Sequence, residues 1–249
     1  MKVAIIGAGN VGSVLAGLIK KSNYELTHIA SRTLQHAQAL AEEMHTTFSL
    51  IDAIPKGVAD IFILAVSDTA ISDCAAAVKI TDEILLHTAG SASKEILKSH
   101  AFHYGVLYPL QSLTKKMRAT QIPLLVDGSS EEIKTTIKEF ALALSSNVHI
   151  ANDEERLKLH ASAVIVSNFS NHLYALAEEF CKKEKVDFQL LQPLIAETAD
   201  RLQYSSPSLV QTGPASRHDL GTIEKHLKLF NDFPKLRAFY KDFSDSIMQ

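Results

Sequence analysis

Gly7-Ala8-Gly9-Asn10-Val11-Gly12 has the G-x-G-x-x-G spacing that lets backbone N–H groups hold a pyrophosphate. In that spacing the first glycine permits a tight turn and the second lets backbone approach the ligand. The third lets a helix pack closely on a strand. The pyrophosphate then meets the helix N-terminus, where free N–H groups and the dipole favour negative charge. Sites for NAD carry an acid about twenty residues further on, bonded to the ribose 2′-hydroxyl. This chain has Ser31-Arg32-Thr33 there, with no carboxylate. A guanidinium and two hydroxyls attract a 2′-phosphate, and Arg32 can stack on adenine. The expected cofactor is therefore NADP, with Thr33 also placed to N-cap the next helix.

Two polar stripes offer further chemistry. On helical projection His160, Ser167, Asn168 and Asn171 fall within about 100° of arc on one long helix. Buried polar groups need partners, so this stripe is either a subunit-interface network or a ligand face. On a later helix Asp219, Thr222 and His226 share a face beside the apolar stripe of Leu220, Ile223, Leu227 and Phe230. Arg217, just before it, suits a substrate carboxylate. His226, and after it His160, is the expected proton donor, because an unperturbed imidazole titrates near neutral pH. Asp219 is expected to orient His226, although two helical turns of separation work against a direct bond; the alternative is a bonded core histidine. Metal ligation is not expected: His100-x-x-His103 reads as a surface turn, and there is no H-E-x-x-H and no cysteine cluster. The lack of a G-x-S-x-G elbow argues against a serine hydrolase.

The elements that must position these residues follow from apolar periodicity. Lys2–Ile6 and Glu25–Ala30 read as strands around the glycine loop, with helices at 13–20 and 34–44. Further strands are expected at 46–50, 60–66, 83–88, 104–108, 122–126 and 148–151, and helices at 69–78, 94–98 and 131–144. This alternation predicts a doubly wound, mostly parallel Rossmann sheet in an α/β domain spanning residues 1–151. Ligands of such sheets cross the carboxyl ends of the strands, so Val66, Ser67, Ala89, Gly90, Ser91 and Pro109 are candidates to line the nicotinamide half. Residues 152–249 are expected to be all helical, built on one helix from Asp153 to Glu184 that holds neither Pro nor Gly. Its middle is apolar almost all round, and a second copy of the chain is its natural cover.

Composition narrows the class. The 249 residues are 46% hydrophobic, enough for real cores, and the net charge of −3 without a basic tract argues against nucleic acid. Two cysteines outside any C-x-x-C pair fit a reducing, cytoplasmic setting, and no stretch has the length and apolarity of a membrane span.

The arrangement resembles the 6-phosphogluconate dehydrogenase-like superfamily, which includes pyrroline-5-carboxylate reductases, 3-hydroxyacid dehydrogenases and deazaflavin-dependent NADP oxidoreductases. The segment Thr212-Gly213-Pro214-Ala215-Ser216-Arg217-His218-Asp219, with Thr222 and His226-Leu227, resembles the domain of unknown function found behind Rossmann-like domains in bacterial NADP oxidoreductases. The resemblance implies the fold and a nicotinamide cofactor, and supplies no substrate. It also has departures. The 3-hydroxyacid dehydrogenases carry a catalytic lysine four residues before an asparagine, whereas Val164 precedes Asn168 here. Gly213-Pro214-Ala215 lies two helices later than the comparable stretch of pyrroline-5-carboxylate reductases.

The expected function is an NADP-dependent oxidoreductase moving hydride between NADP(H) and a small carbonyl or imine substrate, with Arg217 placed for an anionic one. Residues 212–226 are expected to fold over the strand-end cleft, from the same subunit or its mate. The alternatives are a non-catalytic NADP-binding sensor or scaffold, and an NADP:deazaflavin oxidoreductase.

Overall fold

The computed structural model describes residues 1–115 and 122–249. It divides into two compact units, residues 1–167 and 168–249, and the division falls inside the long helix rather than at residue 151.

In the first unit, buried apolar runs become strands and amphipathic runs become the helices between them. The order begins β1 (Lys2–Ile6), α1 (Asn10–Lys20), β2 (Glu25–Ser31), α2 (Leu34–Met44), β3 (Thr47–Leu50), β4 (Ile61–Leu64), α3 (Ile71–Ala77) and β5 (Ile84–His87). It continues with β6 (His103–Pro109), β7 (Leu124–Gly128), α4 (Glu131–Leu144), β8 (Val148–Ile150) and α5 (Asp153–Ala163). Among the described residues the strands form one sheet in the order β3-β2-β1-β4-β5-β6-β7-β8. Every neighbouring pair is parallel except β6 and β7, where Leu107 faces Val126 in an antiparallel ladder. The order reverses between β1 and β4, which opens a crevice at their carboxyl ends.

The period of two along β1 divides the core. Val3 and Ile5 face Leu15 and Ile19 of α1, Leu40 of α2 and Phe140 of α4. Ala4 and Ile6 face the other way, with Phe62, Leu64, and Ile71 and Cys74 of α3. Each fully buried Ile or Leu contributes about 1.5–3 kcal/mol. Both sheet faces are therefore covered, as a parallel sheet requires.

Two caps fix helices that matter below. The Ser130 hydroxyl accepts the Ile133 N–H at the start of α4. At α5 the Asn152 side chain accepts the Glu155 N–H at 2.9 Å, and Glu155 accepts the Asn152 N–H at 3.0 Å. This reciprocal pair satisfies two otherwise orphaned donors. Thr33 stands at the N-cap position of α2, but its side chain makes no capping bond, and neither Ser67 nor Asp68 caps the helix after β4.

The long helix does form, with an irregularity. Between α5 and α6 (Ser170–Lys183) residues Val164–Phe169 are π-helical. A π turn holds more residues than an α turn, so the 100°-per-residue projection that aligned His160 with Ser167, Asn168 and Asn171 does not carry through it. Nor is the middle of the helix covered: Ile165 is 59%, Val166 73% and Phe169 57% exposed.

The second unit holds α6, α7 (Gln192–Arg201), α8 (Leu220–Leu229) and α9 (Pro234–Met248). Phe180 meets Phe230 and Phe233 edge-on at 5.0 and 5.1 Å, and Ile223 is buried. Each unit contains one free, buried cysteine, Cys74 in the first and Cys181 in the second.

Candidate active site

The glycine loop leaves β1 at Gly7, whose φ of +114° suits only glycine. A Cβ there would lie 2.1 Å from the Ala65 carbonyl oxygen, so the backbone just past β4 closes that side. At Gly12 a Cβ would lie 1.9 Å from the Gly7 carbonyl oxygen; the missing side chain is what lets α1 start hard against the loop. At Gly9 a Cβ would meet nothing within 4 Å, and Gly9 and Asn10 are exposed. The loop is thus tight against protein at its two ends and open at its middle, beside the amide-rich start of α1. That shape fits a pyrophosphate, with Gly7, Ala8, Gly9, Asn10, Val11 and Gly12 as its cradle.

Around it lies a cleft of about 510 Å3 lined by Gly7–Asn10, Ser31, Arg32 and Ala65–Ser67, together with His36, Ile51 and Lys115. Ser31 is buried at the end of β2 and its hydroxyl accepts the Thr33 N–H at 3.4 Å, while Arg32 and Thr33 are exposed. Arg32, His36 and Lys115 make this end of the cleft basic, and among the described residues no carboxylate lines it. His36 and Lys115 were not singled out in the sequence. His36 lies four residues past Arg32, a spacing that could have flagged it; Lys115 carries no local signal.

A second group sits at the ends of β5 and β6. Ala89 and Gly90 are buried, and the Ala89 N–H donates to His87 Nδ1 at 3.1 Å. The Tyr108 hydroxyl and His160 Nδ1 are 2.8 Å apart, with their rings edge to face. Both rings close over Gly90: a Cβ there would lie 2.6 Å from His160 Nδ1 and 2.8 Å from Tyr108 Cζ. The neighbouring Ser91 hydroxyl donates to the Asp68 carboxylate. Burial raises the Tyr108 pKa, the Asp68 charge raises it further, and Arg156 opposes them. The phenol is therefore held protonated at neutral pH.

His160 is set in place by the start of α5. Arg156, 1% exposed, donates from Nη2 to the Ala92 carbonyl and to Asp153 at 2.7 Å. Asp153 also accepts the Ser93 hydroxyl and the Lys94 N–H. Burial opposes ionisation of Asp153, but Ser93, Arg156 and the Lys94 N–H outweigh it and hold the carboxyl below its ordinary range. The helix is thereby tied to the segment that continues from Gly90, and His160 follows one turn after Arg156.

The other expected site residues belong to the second unit. Asn168 is exposed in the π segment. Asp219 caps its own helix: its carboxylate accepts the Thr222 N–H at 3.0 Å and the Thr222 hydroxyl at 2.7 Å. His226 does not pair with it; His226 Nδ1 lies 2.8 Å from the Tyr240 hydroxyl of α9. The Asp219 side chain is consumed by the cap, so another group orients His226. Arg217 is exposed. Among the described residues no group of three or more His, Cys, Asp or Glu is placed to hold a metal ion, and no helix is long and apolar enough to cross a membrane.

Known proteins agree with this architecture. Residues 2–89 match the family described as NADP oxidoreductase, coenzyme F420-dependent, and residues 122–247 match the domain of unknown function DUF2520. No curated protein matches the sequence. Among solved structures, a Bacteroides fragilis protein classed as an NADP oxidoreductase is 34% identical over 99% of this chain and 97% of its own, with a TM-score of 0.92. A pyrroline-5-carboxylate reductase from Streptococcus pyogenes shares the fold at 15% identity and a TM-score of 0.66, covering 100% and 98% of the two chains. An imine reductase from Myxococcus stipitatus, solved with NADP+, does so at 16% identity and 0.65, covering 100% and 92%. The chain belongs to the family that joins an NADP oxidoreductase Rossmann domain to the C-terminal domain DUF2520.

Proposed function

We propose that this protein is an NADP(H)-dependent reductase that delivers hydride to a small carbonyl or imine. The observation that carries the proposal is the cleft: an open glycine loop at one end and Ser31, Arg32, His36 and Lys115 at the other. That polarity fits a dinucleotide bearing an extra phosphate on its adenosine ribose. Bound there, the cofactor supplies the hydride; the protein binds it, orients it across Val66, Ser67, Ala89 and Gly90, and excludes water. The likeness to NADP oxidoreductases supports the same reading.

Calorimetric titration tests it. NADPH should bind more tightly than NADH, and Arg32→Ala should weaken NADPH by about tenfold or more while leaving NADH nearly unchanged. Equal affinity for the two cofactors, or an unaffected Arg32→Ala variant, refutes the phosphate assignment. The match of residues 2–89 to a coenzyme F420-dependent family favours a deazaflavin as a second hydride partner, which NADPH oxidation in its presence would reveal.

The working form we propose is a homodimer covering the exposed middle of the long helix. Ile165, Val166 and Phe169 present an apolar face that water would otherwise meet. Light scattering should give twice the 27.3 kDa chain mass at micromolar concentration; a monomer there refutes the proposal.

A further inference from the structure

The hydroxyl of Tyr108 was not among the expected donors, and its position gives it a specific task. It lies at the end of β6, the place ligands of such a sheet cross, over a residue whose missing Cβ makes room for it. It is partly exposed, so a ligand can reach it, and it shares a 2.8 Å hydrogen bond with a partly exposed imidazole. We propose that Tyr108 is the catalytic acid of this site, that His160 is its positioning residue, and that the substrate is a carbonyl compound.

The inference rests on the reductase reading above and narrows it. A protonated imine that accepts hydride becomes a neutral amine and needs no proton from the protein. A carbonyl that accepts hydride becomes an alkoxide and does. In the step proposed, the carbonyl carbon takes hydride from the reduced nicotinamide, forming a C–H bond as the C=O π bond breaks. The carbonyl oxygen takes the proton of Tyr108 Oη. Tyr108 regains a proton from His160 Nδ1–H as His160 Nε2 takes one from solvent. The products are an alcohol and the oxidised nicotinamide.

The surrounding charges suit an acid rather than a base. Asp68, from the segment after β4, and burial keep the phenol protonated until a proton is demanded; Arg156 of α5 acts in the opposite sense but is paired with Asp153. His160, also of α5, is the group hydrogen-bonded to the phenol. Replacing His160 should therefore slow the return of a proton to Tyr108.

Two measurements test the proposal on the full-length protein. The first needs no turnover. In protein labelled with 13C at tyrosine Cζ, the Tyr108 signal, assigned by its loss in Tyr108→Phe, should move when His160→Gln removes the imidazole from its hydroxyl. A Tyr108 signal indifferent to His160→Gln overturns the proposal. The second is NADPH oxidation with ethyl pyruvate and 4-nitrobenzaldehyde as carbonyl probes and 1-pyrroline as the imine probe. Tyr108→Phe should lower kcat on a carbonyl by about a hundredfold or more with NADPH affinity retained. His160→Gln should lower it less, with KM for the carbonyl retained. Reduction of 1-pyrroline alone, no reduction of any carbonyl, or a Tyr108→Phe variant within twofold of the parent overturns the proposal and leaves the cofactor assignment standing. Failure to bind NADPH overturns the reductase reading itself.

Discussion

Acidification should destabilise the first unit through a single imidazole, His87. It ends β5, is fully buried, and uses Nδ1 to accept the Ala89 N–H. Burial, then the Arg156 charge, push its pKa down to about 4, against smaller opposing effects of Asp153, the Ser93 backbone and Asp68. In the unfolded chain an imidazole titrates near ~6.5. Above that pH both states are neutral and His87 adds no pH dependence. Between about 6.5 and 4 the unfolded chain binds a proton that the folded one refuses, and stability falls by about 1.4 kcal/mol per pH unit. Over the whole window the loss is about 3 kcal/mol, and below it the folded state protonates too and the decline stops. Asp153 acts lower: its carboxyl is held below its ordinary range, so its contribution is lost only as pH falls through the carboxylate window. The variant His87→Asn removes the imidazole while its Oδ1 can still accept the Ala89 N–H. Urea titrations followed by circular dichroism at pH 7.5 and 5.0 give the comparison. The parent should lose about 2 kcal/mol more than the variant between those two conditions, the other histidines cancelling. Equal losses in parent and variant would refute the reasoning.

Two further substitutions probe the loop and the strand ends. Gly12→Ala puts a methyl 1.9 Å from the Gly7 carbonyl oxygen, where only backbone can yield; it should cost about 3 kcal/mol and abolish NADPH binding, readable by thermal unfolding and calorimetry. Gly90→Ala collides instead with two side chains, His160 and Tyr108; it should cost about 1–3 kcal/mol and move the Tyr108 Cζ resonance, and an unmoved resonance would contradict the geometry.

What was legible in the sequence was what depends on near neighbours. The first strand and the full extents of α2 and α4 follow from apolar period and local punctuation, and the structure matches them, while α1 begins at Asn10, three residues before the apolar period. The direction of β7 was not legible, because its short apolar run Leu124-Leu125-Val126 pairs equally well either way; the ladder to β6 is antiparallel. The π segment was hidden because periodicity arguments presuppose α geometry. At the site, Gly7, Gly9 and Gly12 were readable because their spacing is itself the signal. Tyr108 was not, since it meets His160 across 52 residues of sequence and nothing local marks it. Lys115 reaches the cleft in the same non-local way. Asp219 and His226 share a helix face as expected, yet the nearer backbone N–H of Thr222 captures the carboxylate. Capping wins over a longer side-chain reach because the donor is already in place.

The two cysteines give the molecule a pair of internal reporters. Cys74 is packed beneath the sheet, and burial raises its thiol pKa, with Arg32 opposing and Asp73 reinforcing the effect; Cys181 is buried in α6. A buried thiol reacts with an alkylating reagent only when the structure around it opens, at a rate set by the free energy of that opening. Because one lies in each compact unit, the two alkylation rates, separated by mass spectrometry of the peptides, measure the breathing of each half independently. A ligand held by the glycine loop should slow labelling of Cys74 by mass action, since it binds the closed form and not the open one.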